Sequence, residues 1–306
     1  MRLWRFLVCA ILFLVATGAR AQDDGPRVYQ LAPLGAKAFT AFAVAKRANE
    51  TPDGDVVTGS QIDTNVVVFR YVQTFSLGGR QFSPFVILPT GRVRATVRDA
   101  HGNASDVSSG LGDAQIGGVV GLFGSPALDP KAYADYRPQF SMGLLGRVFF
   151  PTGAYDRAKS VNLGANRFAF QVGLPTGLVF GQSYASPRLT TLELLPTLTF
   201  YGANTEPHGA GRVTKAPQFS LEAHLTHNLS PQAWVSADLL YRLGGATTTD
   251  GTPNHNPTRG WSAGVSGAVR LAPHATVILT YEHVVERSDN GPDGWFFRAA
   301  LVVPFR

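Results

Sequence analysis

The sequence predicts one all-β protein, an antiparallel transmembrane barrel of about twelve strands, and three observations carry that expectation. Strand-length segments recur along the chain with apolar residues at every second position. Successive strand residues point to opposite faces, so each segment has an apolar side and a mixed or charged side. The connections alternate between tight turns and long polar stretches, as in outer-membrane barrels with short periplasmic turns and longer external loops. After residue 21, no run of about 18 apolar residues could form a membrane helix. Strands that cross lipid must close on themselves, because lipid offers no partner for an open sheet edge.

The first residues have the form of an export signal. Arg2 and Arg5 precede an apolar stretch at 6–16, and Ala19-Arg20-Ala21 supplies a small-x-small cleavage site. Residues 1–21 are expected to be removed near Ala21, residues 22–36 to form a periplasmic lead-in, and residues 37–306 to form the barrel in the cell outer membrane. Cys9, the only cysteine of the 306 residues, belongs to the signal, which excludes disulfides and thiolate metal sites from the mature chain. Arg2, Arg5 and Arg20 leave with it, lowering the formal charge from +6 to +3. That balance is too mild to point to nucleic acid. Thirty-three glycines and twenty phenylalanines suit an aromatic, turn-rich β protein.

Twelve strands are expected at 37–47, 62–77, 81–97, 113–123, 139–152, 167–181, 190–201, 217–228, 233–243, 260–271, 275–284 and 295–305. The hairpin at 140–181 shows the pattern well. Phe140, Met142, Leu144, Val148 and Phe150 alternate with Ser141, Gly143, Leu145, Arg147 and Phe149. In the ninth strand, Val235, Ala237, Leu239, Tyr241 and Leu243 oppose Ser236, Asp238, Leu240 and Arg242. In the eighth, Phe219, Leu221, Ala223 and Leu225 oppose Ser220, Glu222, His224 and Thr226. Gly78-Gly79-Arg80 and Ala272-Pro273-His274 make tight turns. The stretches 48–61, 98–112, 153–166, 202–216, 244–259 and 285–294 are long and fall on the external side. The turn at 124–138 is the exception, being long where a periplasmic turn should be short. A secreted sandwich would also alternate, but strand length, aromatic residues near strand ends and the alternation of connections favour a barrel.

The last strand carries Trp295, Phe297, Ala299, Leu301, Val303 and Phe305 in one alternating row. Bacterial barrels typically close with such a row and a terminal aromatic, through which the barrel-assembly machinery recognises them. Here Arg306 follows the aromatic, shifting the match by one residue.

A set of short motifs in fixed order resembles a known family. They are Pro33-Leu34-Gly35, Val66–Tyr71 (VVVFRY) with Gly78-Gly79-Arg80, Leu88-Pro89-Thr90-Gly91, Gly110-Leu111-Gly112-Asp113 and Phe149-Phe150-Pro151-Thr152-Gly153. In this order the chain resembles the outer-membrane proteins labelled "putative MetA-pathway of phenol degradation", from about Leu31 to Phe305. The resemblance implies an outer-membrane β-barrel with a transporter-like role in bacteria that degrade aromatic compounds. It brings no catalytic residues.

No constellation reads as a catalytic or cofactor site, so neither enzyme activity nor a cofactor is expected. Gly110-Leu111-Gly112-Asp113 lacks a third glycine and a following helix, so it reads as a turn with Asp113 on the backbone. His224 and His227, three apart on a strand, face opposite sides and cannot share a metal. Asp53-Gly54-Asp55 and the 289–294 stretch could hold calcium at a rim, but ordinary turn chemistry explains them. No serine sits in a nucleophile motif, and Asp250, His255, Asp289 and His208 have no protease pattern.

The inward charges carry the functional reading. Arg70, Arg92, Arg94, Arg147, Arg242, Arg270 and Arg298 are expected in the lumen with Glu193, Glu222, Asp238 and Glu282. They either pair into a polar core that closes a narrow pore or line a water-filled path whose arginine excess favours anions such as aromatic carboxylates. A barrel of this size permits both. The expected function is passive uptake of small solutes, aromatic or hydrophobic ones included. The alternatives are a closed structural or ligand-binding barrel and, further off, a barrel hydrolase. The partners expected are outer-membrane lipid, the assembly machinery and a small-molecule solute, without nucleic acid.

Overall fold

The computed structural model describes residues 24–99, 102–181, 183–184 and 186–305; the expected signal peptide, its cleavage site and Arg306 lie outside them. Twelve antiparallel strands close into a barrel. They are β1 Lys37–Ala48, β2 Ser60–Gln73, β3 Arg80–Asp99, β4 Gln115–Phe123, β5 Phe140–Phe149 and a split β6 of Ala169–Gly173 and Thr176–Phe180. The second half comprises β7 Thr190–Tyr201, β8 Gln218–Ser230, β9 Ala233–Gly244, β10 Thr258–Ala272, β11 Ala275–Arg287 and β12 Gly294–Phe305. Each pairs with its chain neighbours, and β12 pairs with β1 from Phe305↔Lys37 to Gly294↔Ala48, which removes every edge. All twelve expected segments are present, with boundaries moved by a few residues.

Two local features follow from proline and glycine. Pro175 has no N–H for the ladder, and β6 breaks there, although Pro175 O still accepts from Gly143 N at 2.9 Å. The upper half of β3 leaves β4 and pairs instead with Gly102–Leu111, while its other edge stays paired with β2 up to Val97↔Ser60. At Gly91 (φ +158°) the β3 backbone runs so close to Asn65 that a Cβ would lie 2.0 Å from its carbonyl oxygen.

Burial is inverted relative to a water-soluble sheet. Val265 is 61% exposed and Leu225, Val235, Leu239 and Leu279 face outward with it, whereas Arg147, Glu222, Asp238, Arg242, Glu282 and Arg298 are buried. An apolar outer belt above a charged interior is what lipid outside and a polar lumen inside require. Aromatic residues gather at the periplasmic end of that belt, where Phe39 stacks on Phe69 at 6.0 Å and Tyr71 lies 6.2 Å from Phe305. One sector of the interior is apolar: Val66, Val68, Phe85, Ile87 and Leu145 pack together, joined by Val161 and Leu163 of the external loop after β5.

The long periplasmic turn at 124–138 has a purpose. It contains a short helix, α1 (Pro130–Asp135), capped by Asp129 Oδ1 accepting from Lys131 N and Ala132 N. Tyr133 of α1 stacks on Tyr184 at 6.0 Å and donates to Leu31 O at 2.9 Å; Leu34 N donates to Leu128 O at 2.7 Å. The turn therefore grips the chain just before β1.

Candidate functional site: the lumen and the segment inside it

The residues before that grip do not remain a periplasmic lead-in, as the sequence suggested. Residues 24–30 lie inside the barrel and bond to its wall. Arg147 Nη2 donates to Asp24 Oδ2 at 2.5 Å and to Tyr29 Oη at 2.9 Å, and Tyr29 Oη donates to the same Asp24 oxygen at 2.6 Å. Asp24 N donates to Glu222 Oε2 at 3.0 Å; Arg27 N and Gln30 Nε2 both donate to Glu193, at 2.6 and 2.8 Å. The Arg27 side chain donates to Thr226 Oγ1 at 2.8 Å and lies 4.7 Å over the Trp234 ring. Burial alone would raise the Asp24 carboxyl, but the Arg147 guanidinium outweighs it and holds the group below the usual carboxylate value.

A second obstruction enters from outside. The loop between β1 and β2 turns into the lumen and places Glu50, 1% exposed, between Arg242 of β9 and Lys46 of β1, bonding to both. Burial opposes ionisation of Glu50, yet Arg242 and Lys46 bring its pKa down to about 2. Further along the same loop, Asp53 and Asp55 accept from Arg167 Nη2 at 2.6 and 3.0 Å, and Lys215 Nζ pairs with Asp55 at 2.8 Å. The two aspartates read as turn chemistry thus act chiefly as anchors. Asp113 does bond to backbone, but outside its own turn: its carboxylate accepts from Gly153 N and Ala165 N of the external loop after β5, each at 2.9 Å.

Level with the luminal segment, the wall carries a hydrogen-bonded layer. His224 Nδ1 lies 2.8 Å from Asp238 Oδ1; Ser236 and Ser266 donate to Asp238 at 2.6 and 2.5 Å; Ser266 meets Thr280 at 2.9 Å, and Arg298 donates to Thr280 at 3.3 Å. Both serines donate to the aspartate, so the arrangement orients a buried carboxylate. His227 faces outward, as its spacing requires.

Arg70 and Glu193 are half-buried, and Arg147, Glu222, Asp238, Arg242, Glu282 and Arg298 are buried, on the strand faces opposite the exposed apolar residues. Two expectations are corrected. Arg94 and Arg92 are exposed on the outer face, opposite buried Val93 and Ala95. β3 is apolar on both faces lower down, with Phe85 and Ile87 inside and Val86 and Leu88 outside, so alternation alone does not fix its phase. Arg270 keeps the inward phase of Ser262 and Ser266 but stands exposed at the periplasmic end of β10, outside the charged interior. Asp24, Arg27, Tyr29 and Glu50 lie on no strand, so alternation does not point to them. The Lys46-x-x-x-Glu50 spacing was the available signal for the last.

Beside the luminal segment remains a cavity of about 300 Å³. Phe42, Val68, Ile87, Ile278 and Ala300 give it apolar walls, while Arg27, Arg70, Arg147 and Arg298 bring cations to it and Asp24 a carboxylate. The Arg70 guanidinium lies 4.9 Å over Phe85 and 5.8 Å over Tyr29, which supports its charge against aromatic faces.

A closed barrel with an apolar belt and a charged interior defines the class: this is a transmembrane β-barrel of the outer-membrane type. The chain belongs to the family described as "Putative MetA-pathway of phenol degradation", whose model matches residues 45–299. Its fold is similar to that of an outer-membrane channel from Pseudomonas putida F1, at TM-score 0.73 and 19% identity over 92% of this chain and 99% of that one. More distant are the β-domain of the Bordetella autotransporter BrkA (TM-score 0.49, 10% identity, 89% and 100% covered) and the translocator domain of NalP from Neisseria meningitidis (TM-score 0.47, 14% identity, 90% and 89% covered). A search of the curated proteins finds no match.

Proposed function

We propose that this barrel is a passive outer-membrane channel for small organic solutes, and that its cavity favours aromatic anions such as carboxylates. The carrying observation is the pairing of apolar walls with the Arg70 and Arg298 guanidiniums around a space of about 300 Å³. A ring can rest on Val68, Ile87 and Ile278 while its carboxylate meets a guanidinium fork, the geometry in which arginine binds carboxylates best. Membership of a family tied to phenol degradation agrees with an aromatic solute. No energy source is involved: movement follows the gradient, and residues 24–30 and the Glu50 loop set how much of the path is free.

Uptake into vesicles holding the folded protein tests this. Benzoate should enter severalfold faster than benzylamine, a cation of similar size, because the cavity concentrates anions. Equal rates, or faster benzylamine entry, would contradict the proposed selectivity. The luminal tethers at Asp24 and Glu50 favour a second reading, a barrel that binds such anions without passing them. Saturable benzoate binding with no uptake would identify it.

A further inference from the structure

The outer face of the wall carries a charge cluster that transport does not use. Arg47 of β1, Asp63 of β2 and Arg94 of β3 occupy one row, since Arg47 pairs with Asp63 and Asp63 with Arg94. The next row down holds Ala45, Asn65 and Arg92. Asp63 accepts from Arg47 Nε at 2.6 Å and from Gln61 Nε2 at 3.0 Å, so its oxygens are engaged. The Arg92 and Arg94 backbones pair with β2 and with Ser109 and Val107, while among the described residues neither side chain forms a hydrogen bond or ion pair. The alanine side chains of Ala43 and Ala45 leave a groove of about 620 Å³ there, with Trp295 on its flank.

Depth decides what lies against this groove. One row below Arg92 the same face holds Val67 and Thr90, then Phe69 and Leu88, both exposed and apolar. From Tyr71 at the periplasmic aromatic girdle to Asp63 are eight residues, or roughly 20 Å of height on a tilted strand, close to the thickness of the lipid-facing band. The arginines therefore sit at the headgroup level of the external leaflet, where Trp295 is also suited. A net positive cluster at the lipid boundary is costly unless anions meet it. Arg92 and Arg94 are about 7 Å apart along one face, and Arg47 lies two strands away at about 10 Å.

We infer that the Arg47–Arg92–Arg94 groove is a binding site for the phosphorylated headgroup of an outer-leaflet lipid. The guanidiniums take the phosphates, the alanine floor admits the headgroup, and the acyl chains continue down the wall over Val67 and Leu88.

Thermal melting of the folded, signal-free protein in detergent tests this, with titrations of bis-phosphorylated lipid A, its dephosphorylated form and inorganic phosphate. Phosphorylated lipid A should raise the melting point saturably, and the other two should not. In Arg92→Ala/Arg94→Ala the apparent affinity should fall at least about tenfold with the lipid-free melting point unchanged, since two charge-assisted contacts go. Arg92→Lys/Arg94→Lys, which keeps the charge, should show an intermediate loss. Equal stabilisation by dephosphorylated lipid, or undiminished affinity in the alanine variant, would overturn the site. So would full reproduction of the effect by inorganic phosphate, which would make it a free-anion site.

Discussion

Arg147, two residues from the external end of the fifth strand, holds Asp24 at 2.5 Å across the lumen, tying the start of the described chain to the wall 123 residues away. The pair is buried, with both partners hydrogen-bonded further to Tyr29. A buried pair of this kind specifies position more reliably than it adds stability. Its effect here is to hold residues 24–30 in the path.

Removing one partner should release that segment. Asp24→Asn leaves Arg147 without its anion, a change of about 3 kcal/mol for a buried pair, enough to shift a closed-to-open ratio on the order of a hundredfold. Because Cys9 is the only cysteine, a spin label at Val28→Cys in the signal-free protein reports the segment alone. Its spectrum should be immobile with Asp24 present and mobile in the variant.

The external loop should hold against acid. Glu50 has its pKa brought down from 4.5 to about 2. A depressed carboxylate contributes stability that is complete above its unfolded value and disappears as pH falls through the folded one. Hydrogen exchange at Val57 N, which donates to Asn49 O, should stay protected from pH 8 to about 4.5 after correction for intrinsic rates, weakening only toward pH 2. In Glu50→Gln the protection should already be reduced at pH 7.

The lipid belt predicts a depth-dependent penalty. Val265 is 61% exposed near mid-height of β10, so Val265→Arg should lower unfolding free energy in vesicles by about 2–4 kcal/mol, the usual cost of an arginine at the bilayer midplane. Arg94→Ala, above the belt, should stay within about 1 kcal/mol. Similar effects at both sites would mean the belt is misplaced.

Charge in the cavity should set ligand preference. Arg70→Ala removes a cation from the apolar cavity while leaving the apolar residues around it unchanged. Isothermal titration should show benzoate binding about tenfold weaker, one charge-assisted contact being worth about 1.5 kcal/mol, while a neutral phenol changes little.

The wall was legible in the sequence because lipid enforces alternation: Val235, Leu239 and Leu243 could face only outward while Asp238 and Arg242 faced inward. That logic lapses wherever a strand is apolar on both faces, as β3 is at Phe85–Leu88, and there Arg92 and Arg94 were misplaced. The contents of the lumen were not legible. Asp24, Tyr29 and Glu50 lie in segments without periodicity, and their positions depend on partners such as Arg147 and Arg242 that are distant in sequence. Even the long 124–138 turn, evident as an anomaly, gained its meaning only through Tyr133 reaching Leu31.

Single-channel recording in planar bilayers, on the signal-free protein and on a variant lacking residues 24–30, tests the central claim most directly. The intact protein should give small openings that benzoate blocks. The shortened protein should give larger openings, still anion-selective, because Arg70, Arg147 and Arg298 remain in the wall. A shortened barrel that is folded yet silent, or one whose openings ignore benzoate, would contradict the account.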